Sequence, residues 1–212
     1  MAGLFKVGSQ LFTAEGPGAV KKLASQGVEV FLDLKFHDIP NTVAKAVVAA
    51  AALPNVRLLT LHAGGGSAML RAAQEALAGV KSPPALLGVT ILTSLDAAAL
   101  RELRMPGELS SRAVALARLA KKSGLDGVVS SAREVSAIRR SCGRDFLILV
   151  PGVRPTTASV NDQSRVATPA EAIRAGADYL VVGRPITAAA DPRLSALAII
   201  EEMKSAVRPH RS

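Results

Sequence analysis

Short aliphatic runs rich in β-branched residues recur along this chain, and each is followed by a longer segment with the apolar period of a helix. Seven such runs read as strands: Leu4–Val7, Val28–Leu34, Leu58–Leu61, Leu86–Ile91, Gly127–Ser130, Leu147–Val150 and Tyr179–Val182. Helices are expected near Gly18–Ser25, Asn41–Leu53, Ser67–Leu77, Ser110–Ser123, Ala132–Ser141 and Pro169–Ala175, with a last one from about Arg193 to Val207. Gly27, Gly124 and Gly176 fall where a helix stops before the next strand, the position that favours a residue with positive φ. Thr168 before Pro169 reads as a cap followed by a proline start. Strands apolar on both faces and joined by helices make a parallel sheet. Repetition without a change of character favours a closed (β/α)8 barrel over a doubly wound sheet. The expected fold is therefore α/β, one barrel domain over residues 1–212, with seven βα units visible and the first unit missing.

Composition narrows the class. Hydrophobic content of 49% and charged content of 20% exclude a disordered chain, and a lone Cys142 excludes a disulfide scaffold. The longest apolar stretch, Ala46–Leu53, is far short of the roughly 20 residues of a membrane span. The first residues, MAGLFKVGSQLF, lack the charged lead and long apolar run of a signal peptide, so a cytoplasmic setting is expected. The formal charge of +9 comes from 26 Lys and Arg against 17 Asp and Glu. These cations are scattered and aromatics are only 3%, which argues for solvated helix faces and an anionic small molecule rather than nucleic acid.

In a parallel barrel the chemistry gathers at the C-terminal ends of strands. Asp33, Lys35 and Asp38 stand at the end of the second run, in VFLDLKFHDIPNT, and Lys6 lies in the neighbouring strand. Residues i and i+2 of a regular strand share a face, so Asp33 and Lys35 should point together into an aliphatic interior. A buried charged row is costly unless paired. It reads either as an interior ion pair satisfying itself or as a Lys held by carboxylates as a proton donor. His62 ends the third strand, Thr93 the fourth, and Ser130 and Ser131 the fifth.

After the last strand, where this fold often binds phosphate with backbone N–H groups and a short helix N-terminus, Gly183 admits close backbone approach and the Arg184 guanidinium offers a fork. Arg154 in PGVRP and Gln163 on the preceding loop are candidates to join them, and Val153–Arg165 is the candidate lid. The glycines after His62 lack P-loop spacing and read better as a tight turn. His37 and His62 with nearby carboxylates are a weaker metal candidate, since His37 need not share a face with Asp33. Cys142, at a helix end, reads as inert.

The segments FLDLKFHDIPNTV, LTLHAGGGSAML, VTILTSL, GLDGVVSSA, LVPGVRP, DQSRVATPAEAI and GADYLVVGRPIT, in that order, resemble the bacterial orotidine 5′-phosphate decarboxylase family. The resemblance runs from Lys6 to the last helix, and Asp-x-Lys-x-x-Asp followed by Ile-Pro-x-Thr is its most specific part. It implies cofactor-free conversion of orotidine 5′-phosphate to UMP by a homodimer, with no metal. By the same resemblance Lys35 is the proton donor to C6, Asp33 faces the substrate carboxylate, and Lys6 bridges that aspartate and the ribose. Asp38 and Thr42 would reach the neighbour's site, Thr93 would contact the base region, and Arg154, Gln163, Gly183 and Arg184 would grip the phosphate. Family members begin with a further strand and helix whose aspartate binds ribose. A chain truly starting at Met1 would have an open seam, unpaired strand edges and little activity. Two alternatives stand beside this reading. One is a Mg²⁺-dependent phosphosugar barrel, a 3-keto-gulonate-phosphate decarboxylase or hexulose-phosphate synthase, and the other is an inactive, truncated dimerising remnant.

Overall fold

The computed structural model describes residues 3–105, 107–155 and 167–206. Gln163, most of the candidate lid and the end of the last expected helix at Val207 lie outside the described residues. In chain order the elements are β1 (Phe5–Gly8), α1 (Ser9–Glu15), α2 (Pro17–Ala24), β2 (Val30–Phe36), α3 (Pro40–Ala51), β3 (Val56–His62), a 3-10 turn (Ala63–Gly65), α4 (Gly66–Glu75) and β4 (Ala85–Val89). They continue with α5 (Ala97–Glu102), α6 (Leu109–Lys122), β5 (Gly127–Val129), α7 (Val135–Cys142), β6 (Leu147–Pro151), α8 (Pro169–Ala175), β7 (Tyr179–Val181), α9 (Arg184–Thr187) and α10 (Pro192–Ala206). The strands are hydrogen-bonded in sequence order, β1 to β7. The pairs β1–β2, β2–β3, β3–β4 and β6–β7 are parallel. Consecutive order is that of a (β/α) barrel, whereas a doubly wound sheet reverses direction at a switch point.

Residues group into two compact units, one holding residues up to 90 together with 115–128, the other 91–114 together with 129 onward. In the first, Val30, Leu32, Leu59, Leu61, Leu86 and Leu87 of the strands are fully buried. Helix α3 turns Val43, Val47 and Ala50 inward, the i, i+4, i+7 spacing of one helical face, and α4 buries Met69, Leu70 and Ala73. In the second, Ile148, Leu149 and Val150 of β6 are buried, as are Val135 and Ile138 of α7, Ala172 of α8 and Ile199 of α10. Thr168 and Glu171 close a reciprocal capping box at the start of α8, with Thr168 Oγ1 accepting from Glu171 N at 3.1 Å and Glu171 Oε2 accepting from Thr168 N at 2.8 Å.

The same helix-to-strand joint occurs once in each unit. Gly124 (φ 89°) ends α6 and Gly176 (φ 107°) ends α8, and Gly27 also carries positive φ, as the sequence predicts. Two residues after each of the first two glycines stands an aspartate. Asp126 accepts from Leu86 N through Oδ2 at 2.8 Å while its own N–H donates to Leu86 O at 3.1 Å. Asp178 does the same to Ile148, at 2.7 and 2.9 Å. Arg139 braces the second joint, its Nη2 donating to Asp178 Oδ2 at 2.6 Å and to Gly176 O at 2.7 Å.

All seven expected strands are present, with ends that coincide or differ by at most two residues. Three short helices are additional. Helix α1 buries no residue, so it carries no apolar periodicity to read. The other two, α5 and α9, run for only 6 and 4 residues.

Candidate active site

Strand β2 carries the cluster, and a local irregularity shapes it. Leu32 is in register with Leu59 and Phe36 with Leu61, so residues 33–35 of β2 stand opposite the single residue Thr60 of β3. The bulge puts Lys35 in the left-handed region at φ 53°, a conformation costing a non-glycine residue about 1–2 kcal/mol. Regular alternation, the basis for expecting Asp33 and Lys35 on one face, therefore does not hold here. The two side chains meet all the same, because the turn at Lys35 brings its Nζ to 2.8 Å from Asp33 Oδ2.

Lys6 approaches from β1, its Nζ 3.5 Å from the same carboxylate oxygen. Gly8, which pairs with Asp33 across β1–β2, makes room for that approach: a Cβ there would lie 2.6 Å from Lys6 Nζ. Asp33 is 8% exposed, and its other oxygen, Oδ1, accepts from Thr60 Oγ1 at 3.0 Å. One carboxylate thus faces two ammonium groups. The excess positive charge beside a largely buried carboxylate suits an anion whose own negative charge moves during reaction.

His62, at the end of β3, lies against this cluster, its ring centroid 5.2 Å from that of His37 and tilted 37° to it. Burial holds its pKa below the ordinary histidine value, helped by the charges of His37 and Lys35 and opposed by Asp33. His37 packs over the turn after β3, where a Cβ on Gly65 would fall 3.3 Å from its ring. Among the described residues no three His, Cys, Asp or Glu side chains stand together as a metal site. Asp38 is exposed on the loop before α3, with Oδ1 accepting from Ile39 N at 2.6 Å, and Thr42 is exposed in the first turn of α3. Neither Asp38 nor Thr42 belongs to the Lys6–Asp33–Lys35 cluster.

In the second unit, Thr93 lies in a turn beyond β4, which ends at Val89 rather than at Ile91. Arg154 follows β6 and is 7% exposed, its N–H donating to Ala167 O at 3.0 Å. Gly183 precedes α9 and Arg184 opens it, both exposed; a Cβ on Gly183 would meet nothing within 4 Å. Ser130 and Ser131, directly after β5, are buried at 1% and 2%. Cys142 is buried at the end of α7.

Sequence reasoning passed over Thr60. Its signal was there: one hydroxyl inside the aliphatic run LLTLH. The two joint aspartates, Asp126 and Asp178, were also missed, although the repeated Gly-x-Asp before each strand could have found them.

Comparison with known proteins shows what the whole chain is similar to. The family model described as "Orotidine 5'-phosphate decarboxylase / HUMPS family" matches residues 2–199. A Syntrophotalea carbinolica protein named orotidine 5'-phosphate decarboxylase is 56% identical over 210 residues, covering 97% of this chain and 86% of that protein. One of the same name from Nitrosococcus oceani is 52% identical over 200 residues, covering 94% and 86%. The crystal structure of orotidine 5'-phosphate decarboxylase from Lactobacillus acidophilus is similar at a TM-score of 0.82 and 42% identity, covering 93% of this chain and 85% of that one. With a family model matching residues 2–199 and a relative 56% identical over 97% of this chain, the chain belongs to the orotidine 5'-phosphate decarboxylase / HUMPS family.

Proposed function

We propose that this chain is a carboxy-lyase that converts orotidine 5′-phosphate to UMP in pyrimidine biosynthesis. The observation that carries the reading is the Lys35–Asp33–Lys6 cluster at the C-terminal end of β2, within a chain 56% identical to a protein named for this reaction. The bond between C6 and the carboxylate carbon breaks, the electron pair stays on C6, and CO₂ leaves. Lys35 then donates a proton to C6 and recovers one from water. An ammonium beside C6 favours the transition state over the ground state, since negative charge localises there only as CO₂ departs. Asp33 faces the substrate carboxylate and holds Lys35 in place. Lys6 links that aspartate to the ribose, so the reaction proceeds without a cofactor.

The remaining roles follow from the family resemblance. Thr93 contacts the base, and Arg154, Gln163, Gly183 and Arg184 grip the phosphate, whose binding energy lies remote from the reacting carbon. Asp38 and Thr42, both exposed, serve the neighbouring site in a homodimer. No helix among the described residues is long and apolar enough to cross a membrane.

The test is decarboxylation of orotidine 5′-phosphate followed at the pyrimidine absorbance, with and without a chelator. Turnover indifferent to chelation is expected, and no turnover of the nucleotide beside chelator-sensitive turnover of a keto-sugar phosphate would move the reading to a Mg²⁺-dependent phosphosugar enzyme. Lys35→Ala should lower kcat by at least about 10³-fold while leaving the thermal transition nearly in place. Turnover persisting in that variant would remove Lys35 from the role of proton donor.

A further inference from the structure

The bulge in β2 creates a problem that one side chain resolves. Three residues of β2 stand opposite one of β3, so the Lys35 N–H has lost its place in the parallel ladder. It donates to Thr60 Oγ1 at 3.0 Å. The same hydroxyl spends its single proton on Asp33 Oδ1, also at 3.0 Å. Thr60 is fully buried. Its hydroxyl therefore ties the left-handed backbone of Lys35 to the carboxylate that receives the Lys35 ammonium, which closes a ring of three interactions: backbone N–H to hydroxyl, hydroxyl to carboxylate, and carboxylate to ammonium.

We propose that Thr60 is a positioning residue for the decarboxylation, acting through Lys35 and Asp33 and touching no substrate. This rests on the function proposed above. With the hydroxyl gone, the Lys35 amide has no acceptor and Asp33 Oδ1 has no donor. The carboxylate is then free to turn about its Cβ–Cγ bond and the lysine backbone to relax toward extended values. Both changes draw the ammonium away from the reacting carbon, while the residues proposed to grip the phosphate are no part of this ring. A loss confined to kcat is the signature.

The test compares Thr60→Val, which keeps the branched shape, with Thr60→Ser, which keeps the hydroxyl. For valine, kcat on orotidine 5′-phosphate should fall about 10- to 100-fold with KM within about twofold of the unmodified chain. Serine should restore kcat to within about threefold. Valine with unchanged kcat, or serine as impaired as valine, overturns the proposal. A readout independent of turnover, and of whether the valine variant folds, is amide exchange at Lys35 in the unmodified chain. Protection equal to that of the ladder amides of β2 is expected, and exchange at the rate of a free amide overturns the clamp. If the unmodified chain fails to decarboxylate orotidine 5′-phosphate, the function reading fails, and the exchange result still judges the clamp.

Discussion

His62 is held against protonation by its own surroundings. Burial is the largest cause, the charges of His37 and Lys35 add to it, and Asp33 only partly offsets them. The folded chain therefore takes up this proton at a lower pH than the unfolded chain, whose histidine titrates near 6.5. Between those two values the unfolded state binds more protons, so stability is complete above about pH 6.5 and declines as the pH falls below it. Urea midpoints measured at descending pH should show that decline, and His62→Gln should flatten it. An unchanged slope in the variant would mean that other groups carry the acid sensitivity. Thr60 acts at the same scale. Removing its hydroxyl leaves one amide and one carboxylate oxygen short of a partner, at about 1–3 kcal/mol for each buried group.

Individual elements differ in how openly the sequence announces them. The start of α8 is the clearest, since Thr168, Pro169 and Glu171 spell out a cap, a proline start and the returning carboxylate. Thr168→Ala should cost about 1 kcal/mol, read as a fall in melting temperature of about 2–4 °C. A smaller change would mean that the packing of α8 against α10 alone sets its start. The strands were legible because aliphatic runs broken by glycine and asparagine leave little choice of period. Helix α1 was not, because Ser9–Glu15 buries nothing and so has no face to reveal. The bulge in β2 was not legible either. VFLDLKF alternates no differently from a regular strand, and the extra residues emerge only from its register with β3. Regular alternation therefore predicts the pairing of Asp33 with Lys35 for a reason that the bulge removes, and Thr60, which makes the bulged geometry tenable, looks in sequence like one more residue of an aliphatic strand.

For the whole molecule the governing quantity is charge. A net +9 spread over many faces attracts a nucleotide from beyond contact distance. Raising the ionic strength from about 0.01 M to about 0.15 M shortens the reach of that field from about 30 Å to about 8 Å. The expected outcome is a kcat/KM that falls several-fold across this range while kcat holds. A salt-independent kcat/KM would assign the excess cations to solubility alone. The sequential strand order bears on a different question. Where α6 meets β5 and where α8 meets β7, a glycine turns the chain and an aspartate two residues later grips both the amide and the carbonyl of the strand before it. Strand alignment at these two joints is thus held in part by backbone groups that a short Gly-x-Asp segment grips. For protein engineering, that makes each joint a natural splice point: a segment exchanged with a homologue and cut beside its Gly-x-Asp would arrive carrying its own alignment instructions.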